Sequence, residues 1–138
     1  MGRVFFDTRK NIVDIAAAYT VLPGDSGSVF MINQASAYAI SLPNAADAQR
    51  GWNAEFIIGT VGANAVTIDA TAGDGDNIHG HSIDGEDGAA QTVTEGTGVD
   101  VITFASGATK GDRVSLVCDG VSWYVFGLAA DKAHITLT

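Results

Sequence analysis

The feature that most constrains the fold is a pair of apolar, β-prone runs separated by a turn signal. Arg113–Cys118 and residues 121–126 are both rich in β-branched and aromatic side chains. The dipeptide Asp119-Gly120 between them tolerates the positive φ of a two-residue hairpin turn. This pattern predicts a β-hairpin near the C-terminal end of the chain.

The second arm of this hairpin is apolar on both faces. Val121, Trp123 and Val125 share one face because side chains alternate along a strand, and Tyr124 and Phe126 share the other. A strand with two apolar faces is typical of a sandwich interior or of a contact with a partner subunit. We therefore expect Trp123, Tyr124 and Phe126 to form an oligomer interface.

The rest of the chain indicates an all-β domain. Its 138 residues suit one domain, and seventeen glycines against two prolines indicate many tight turns. We predict an antiparallel β-sandwich or barrel, jelly-roll-like, with long Gly/Asp-rich loops between residues 71 and 98. A hairpin is expected across residues 34–37. The expected strands are 19–22, 28–33, 38–42, 52–60, 64–70, 78–83, 91–94, 99–105, 113–118, 121–126 and 134–137.

The first residues show no sustained periodicity. Residues 1–18 are compatible with a short helical turn or an extended arm, and we favour an arm that packs on a neighbouring molecule. The predicted division is an N-terminal arm over residues 1–22 and a β-sandwich domain over residues 23–138. Three of the seven basic residues, Arg3, Arg9 and Lys10, lie in this arm.

The distribution of charge and the absence of targeting signals argue against two classes of partner. The net charge is −9, and nine of the sixteen acidic residues lie between Arg50 and Lys110 with no basic residue among them. Such a surface repels phosphate, so we expect no nucleic-acid partner. No signal peptide or apolar run of membrane-spanning length is present, so we expect no membrane partner and a soluble protein made in the cytoplasm. Cys118, the single cysteine, is expected in the core.

Two segments contain metal-ligand residue types. Asp74 and Asp76 are separated by glycine, as in calcium loops, but the motif does not recur and the twelfth position carries no Glu. His79 and His81 share one face of an extended strand, with His134 as a distant third candidate. We interpret the first segment as an acidic loop and the histidines as exposed loop residues, and predict neither metal nor cofactor.

Catalytic patterns are also weak. The carboxylates at Asp84, Glu86 and Asp87 lie in a polar stretch without an apolar pocket pattern. Ser26 and Ser106 lack the strand-to-helix context of a nucleophile elbow. We therefore predict that the chain is not an enzyme.

A series of short motifs gives the chain a family resemblance. In order they are DSGSVF (25–30), AISLP (39–43), VTI (66–68), NIHG (77–80), GDRV (111–114) and DGVSWYV (119–125). Their order and spacing over residues 22–127 resemble the capsid decoration (cement) proteins of tailed bacteriophages and related modules of phage fibres. The resemblance implies a non-enzymatic all-β virion protein, usually a homotrimer, that sits on the capsid surface and braces the major capsid protein.

Within that expectation the arm is the candidate capsid contact, because it combines aromatic anchors with basic side chains. The residues are Arg3, Phe5, Phe6, Arg9 and Lys10. Three alternatives stay open. They are a phage tail or fibre module, a carbohydrate-binding β-sandwich in which exposed Trp52 or Trp123 stacks on a sugar, and an acidic-loop metalloenzyme.

Overall fold

The computed structural model describes residues 9–70, 77–85 and 93–138. These residues form a β-sandwich, which confirms the predicted all-β fold class. One short helix, α1 (Ala45–Ala48), and a 3₁₀ turn (Pro23–Asp25) accompany the strands. The strands are β1 (Ile12–Ile15), β2 (Tyr19–Thr20), β3 (Val29–Asn33), β4 (Tyr38–Ser41), β5 (Asn53–Thr60), β6 (Val66–Asp69), β7 (Ile78–Asp84), β8 (Val93–Val99), β9 (Val101–Phe104), β10 (Arg113–Cys118), β11 (Trp123–Ala129) and β12 (Ile135–Leu137).

The strands divide into two sheets. The seven-stranded sheet has the order β1-β3-β5-β10-β11-β7-β8, and the five-stranded sheet has the order β12-β9-β6-β4-β2. Both sheets are mixed, because five of the ten strand pairs among the described residues are parallel. The antiparallel pairing expected from the sequence is therefore present in only half of these pairs, and the jelly-roll-like arrangement is not confirmed.

The first six strands wind back and forth between the sheets. β1, β3 and β5 are parallel neighbours in the seven-stranded sheet, and β2, β4 and β6 are parallel neighbours in the five-stranded sheet. The predicted hairpin across residues 34–37 is therefore wrong, since β3 and β4 lie in different sheets. The side chain of Asn64 donates to the carbonyl oxygens of Gln34 and Ala35, at 3.0 Å each, and holds this crossing in place.

The same winding corrects the predicted domain boundary. β1 and β2 fall inside residues 1–22, the segment expected to be an arm, yet both are paired strands of the sandwich. Ile15 is buried in the core. The sandwich therefore begins by Ile12, inside the segment that was expected to be an arm.

The predicted hairpin is confirmed as β10 and β11, paired from Cys118↔Trp123 to Arg113↔Leu128. Its turn is displaced by one residue, because the Asp119 N–H donates to the Ser122 carbonyl and places Gly120 and Val121 at the tip. The backbone N–H groups of residues 121 and 122 donate to Asp119 Oδ1 at 2.8 and 2.7 Å. These bonds lower the pKa of Asp119 and favour its charged form at the tip.

Large apolar side chains from both sheets fill the space between them. Phe30 and Phe56 stack with ring centroids 4.8 Å apart, and the rings of Trp52 and Trp123 meet edge to face at 5.2 Å. Cys118 is buried, as predicted for a small core side chain, and its thiol donates to the Ala45 carbonyl oxygen at 3.5 Å. Along each strand, the alternate residues that face the other sheet are thus the ones that form the core.

Candidate docking surface

The two sheets present chemically different outer faces to solvent. Nine large hydrophobic side chains of the described residues are exposed, and six of them point outward from the seven-stranded sheet. The remaining three, Leu22, Val61 and Val121, lie outside the strands. The six on the sheet are Ile12, Val93, Val117, Tyr124, Phe126 and Leu128.

The five-stranded sheet shows the contrasting pattern. Its central strands point Val66, Ile68, Ile102 and Phe104 into the core, so the intervening residues face outward. These outward residues are mostly small or hydroxyl-bearing, namely Ala39, Ser41, Thr67, Asp69, Val101, Thr103 and Thr136. A hydroxyl-lined face is readily solvated, whereas an exposed aromatic and aliphatic face marks a contact surface.

Strand β11 forms the centre of the apolar face. Trp123, Val125, Gly127 and Ala129 point inward, and the residues between them point outward. The exposed fractions of Tyr124, Phe126 and Leu128 are 48%, 54% and 47%. This regular alternation gives the strand one apolar face in the core and a second apolar face that is exposed.

The register of the neighbouring strands gives each of these three side chains a row of outward-facing neighbours, some polar and some apolar. On β7, His79, His81 and Ile83 stand next to Tyr124, Phe126 and Leu128 respectively. On β8, Thr97, Glu95 and Val93 continue the same three rows. On β10, the rows continue through Val117, Ser115 and Arg113. We call the outward side chains of β7, β8, β10 and β11 the docking face.

The charges on the outer side of the seven-stranded sheet nearly balance. Lys10 Nζ contacts Glu55 Oε2 at 2.9 Å, and His81 Nε2 contacts Glu95 Oε1 at 3.3 Å. Arg113 and Asp14 are the other ionic groups that the register points outward there. Two cations therefore stand against three carboxylates on a chain whose net charge is −9. Of the eleven acidic residues that the structure describes, eight lie elsewhere.

Tyr124 is held in position by the hairpin tip. Its hydroxyl donates to Asp119 Oδ2 at 3.0 Å, and this hydrogen bond raises the pKa of Tyr124. Asp119 thereby joins the tip of the hairpin to the docking face. This hydrogen bond favours the Tyr124 rotamer that brings the hydroxyl to the hairpin tip.

The structure separates the three residues expected at an oligomer interface. Tyr124 and Phe126 lie on the docking face, as an interface requires, but Trp123 is 0% exposed and packs in the core. The expectation that Trp123 lies at the interface is therefore wrong. The sugar-stacking alternative loses its basis for the same reason, because Trp52 is also buried.

The expected capsid-contact residues are only partly described. Arg3, Phe5 and Phe6 lie outside the described residues, as do Asp74 and Asp76 of the acidic loop. Arg9 and Lys10 are exposed, and Lys10 pairs with Glu55 across the sheet. The arm therefore meets the sandwich beside the outer face of the seven-stranded sheet.

The histidines lie on a strand, not in a loop. His79 and His81 share the outer face of β7, as their spacing predicted. Within residues 9–70, 77–85 and 93–138, no cluster of three or more His, Cys, Asp or Glu side chains is arranged to hold a metal ion. His134 lies elsewhere in the molecule, where its Nδ1–H donates to Asp112 Oδ2 at 2.8 Å.

Comparison with protein-family models, curated proteins and solved structures found no match for the chain. In the part of the chain that the structure describes, no helix has the length and apolar character needed to cross a membrane.

Proposed function

We propose that this chain is a non-enzymatic structural protein that self-associates through its docking face and decorates a phage capsid. The observation that carries the self-association is the concentration of exposed aromatic and aliphatic side chains on one sheet face of an acidic protein. The capsid as the site of assembly rests on the sequence resemblance to decoration proteins. The resemblance implies a homotrimer, whereas one docking face packed on another closes as a two-fold pair, so the sedimentation series below distinguishes two copies from three.

The size of the sheet suits a second copy of the chain. The seven strands lie about 4.8 Å apart with about three outward residues each, so the whole outer side measures roughly 600 Å² per copy and about 1,200 Å² for a pair. The docking face is four of these strands, so an interface at the lower bound of specific protein contacts also covers the neighbouring strands β1, β3 and β5. A flat sheet face also packs well on another sheet face, as the two sheets of this sandwich already do.

Electrostatics favour the same occupant. Two copies, each with a net charge of −9, repel one another least when they meet through the surface on which charges of opposite sign balance. The hydroxyl-lined outer face of the five-stranded sheet is then left to solvent. Such an arrangement suits a protein displayed on the outside of a particle.

Substitution of Phe126 tests the self-association. Phe126→Glu places a charge at the centre of the docking face without touching the core, and we expect it to weaken association roughly 30-fold or more, as for an interface hot spot. Thr103→Glu is the matched control, because it adds the same charge to the outer face of the five-stranded sheet. Sedimentation analysis over a concentration series measures both variants.

Association unchanged by Phe126→Glu, or weakened equally by both variants, would contradict the proposed interface. A wild-type chain that stays monomeric throughout the series would contradict self-association itself. Cryo-electron microscopy of the virion separates the capsid from the tail alternative. Density at three-fold or quasi-three-fold positions of the head supports decoration, and density confined to the tail opposes it.

The arm gives a separate prediction about the capsid. Deletion of residues 1–8 removes Arg3, Phe5 and Phe6 but keeps the Lys10–Glu55 ion pair and the β1 strand. We expect the shortened protein to fold and self-associate normally, yet to bind empty capsids at least tenfold more weakly, because aromatic anchors and salt-sensitive ion pairs are lost. Equal occupancy by both proteins across a salt titration would show that the sandwich alone binds the capsid.

A further inference from the structure

His79 lies at an irregularity in the pairing of β7 with β8. The register changes from Ile78↔Val99 to His79↔Thr97, which leaves Gly98 as an extra residue on β8. Gly98 has a φ of 63°, a left-handed conformation that glycine adopts without strain. Its backbone N–H donates to His79 Nδ1 at 3.1 Å. The histidine side chain therefore fixes the bulge.

This hydrogen bond requires a neutral imidazole. A ring nitrogen accepts a hydrogen bond only when it carries no proton, so His79 holds its hydrogen on Nε2. Protonation would turn Nδ1 into a donor and set two N–H groups against each other. The conformation at Gly98 is thereby linked to the charge of His79.

Different groups lie next to His79 and His81. The His79 ring lies 6.1 Å from the Tyr124 ring, centroid to centroid, and the Tyr124 hydroxyl is bonded to Asp119. His81, the next outward residue of β7, contacts Glu95 on β8 at 3.3 Å. Thus His79 faces an aromatic ring and a backbone N–H, while His81 faces a carboxylate. Both imidazoles are on the docking face.

We propose that protonation of His79 and His81 weakens the self-association of this protein, so that copies associate through the docking face in neutral solution and separate in acid. The inference rests on the proposed self-association. Covering the face removes water from both rings, and a charged imidazole loses more hydration than a neutral one. Protonated His79 also gives up its bond to Gly98, which alters the strand that carries Thr97 and Glu95.

The sign of the effect follows from linkage. If the free chain binds more protons than the associated chain, then association releases protons and weakens as pH falls. Each proton released changes the association constant by up to about tenfold per pH unit. His79 is expected to contribute most, since the carboxylate of Glu95 offsets part of the charge on His81.

Sedimentation at about pH 8 and about pH 5.5 tests the proposal. For the wild-type chain we expect at least about tenfold weaker association at the lower pH. His79→Gln offers a side-chain oxygen to the Gly98 N–H but gains no proton, so most of the pH dependence should disappear. His81→Gln should remove a smaller part. An undiminished pH response in His79→Gln would overturn the proposal.

A second measurement uses dilute, monomeric protein and distinguishes the two proposals. The amide resonance of Gly98 is expected to titrate with acid in the wild-type chain and to stay constant in His79→Gln. Association that occurs without pH dependence, together with a silent Gly98, overturns this inference and leaves the proposed function standing. Absence of association at about pH 8 overturns both, and the Gly98 titration then shows whether His79 still controls the bulge.

Discussion

Asp112→Ala is expected to lower the free energy of unfolding by about 3–5 kcal/mol, because a buried carboxylate that accepts three hydrogen bonds is lost. Asp112 is 4% exposed, and its carboxylate accepts three hydrogen bonds. The donors are the Thr109 N–H at 2.8 Å, the Ala130 N–H at 2.9 Å and His134 Nδ1–H at 2.8 Å. Alanine would leave all three donors, whose hydrogen bonds to Asp112 are partly buried, without this acceptor.

The effect is large because Asp112 connects separate parts of the fold. Its side chain joins the turn before β10 to the segment between β11 and β12. Urea-induced unfolding measures the loss. Asp131→Ala is the matched control, since Asp131 accepts one exposed bond from the Ala133 N–H, and about 1 kcal/mol is expected there.

Asp112→Asn refines the same experiment. The amide keeps the shape and one acceptor oxygen but points an NH₂ group toward a donor, so a loss between those of the alanine variant and the control is expected. Equal stability of Asp112→Ala and Asp131→Ala would show that the buried carboxylate contributes no more than a surface one.

Gly80→Ala is expected to destabilise the protein by roughly 4 kcal/mol, from steric overlap and backbone strain together. Gly80 has a φ of 144°, and a Cβ there would fall on the carbonyl oxygen of Val125 in the adjacent strand β11. The obstruction is backbone, not a flexible side chain, so β7 and β11 must move apart. Their parallel ladder carries His79 and His81 on β7 and Tyr124 and Phe126 on β11, and all four side chains lie on the docking face.

Gly24→Ala provides the comparison, because no atom lies within 4 Å of the position that its added Cβ would occupy and its φ is ordinary. We expect it to change stability by less than about 0.5 kcal/mol, as for most surface substitutions. Thermal and urea unfolding of both variants give the difference. If Gly80→Ala were as stable as Gly24→Ala, β7 could not be packed on β11 as closely as the structure places it.

The sequence was informative wherever local pattern decides structure. Alternation located most strands to within a few residues, and the hairpin of β10 and β11 was predicted from its turn and its two arms. Only β1 was missed as a strand, since four residues over Ile12–Ile15 were compatible with a helical turn as well as a strand. The same alternation placed His79 and His81 on one face of a strand.

The alternation of side chains did not predict which strands pair with each other. β3 and β4 have the spacing of a hairpin, yet they lie in different sheets, and β3 pairs instead with β1 and β5. A strand's hydrogen-bonding groups are the same along any backbone, so they do not specify a neighbour. The choice depends on which pairing buries Phe30, Ile32 and the other core side chains together, and that is a property of the whole chain.

By itself, the sequence determined that the chain is an all-β protein, that β11 is apolar on both faces, and which side chains of β11 share a face. Only the tertiary structure decided that Trp123 points into the core and Tyr124 and Phe126 to the surface, because alternation is symmetric until a second sheet covers one side. It likewise brought Asp112 to His134 and Gly98 to His79, 22 and 19 residues apart in the chain. Such contacts follow from packing of the complete sandwich, which closes distant segments onto one another.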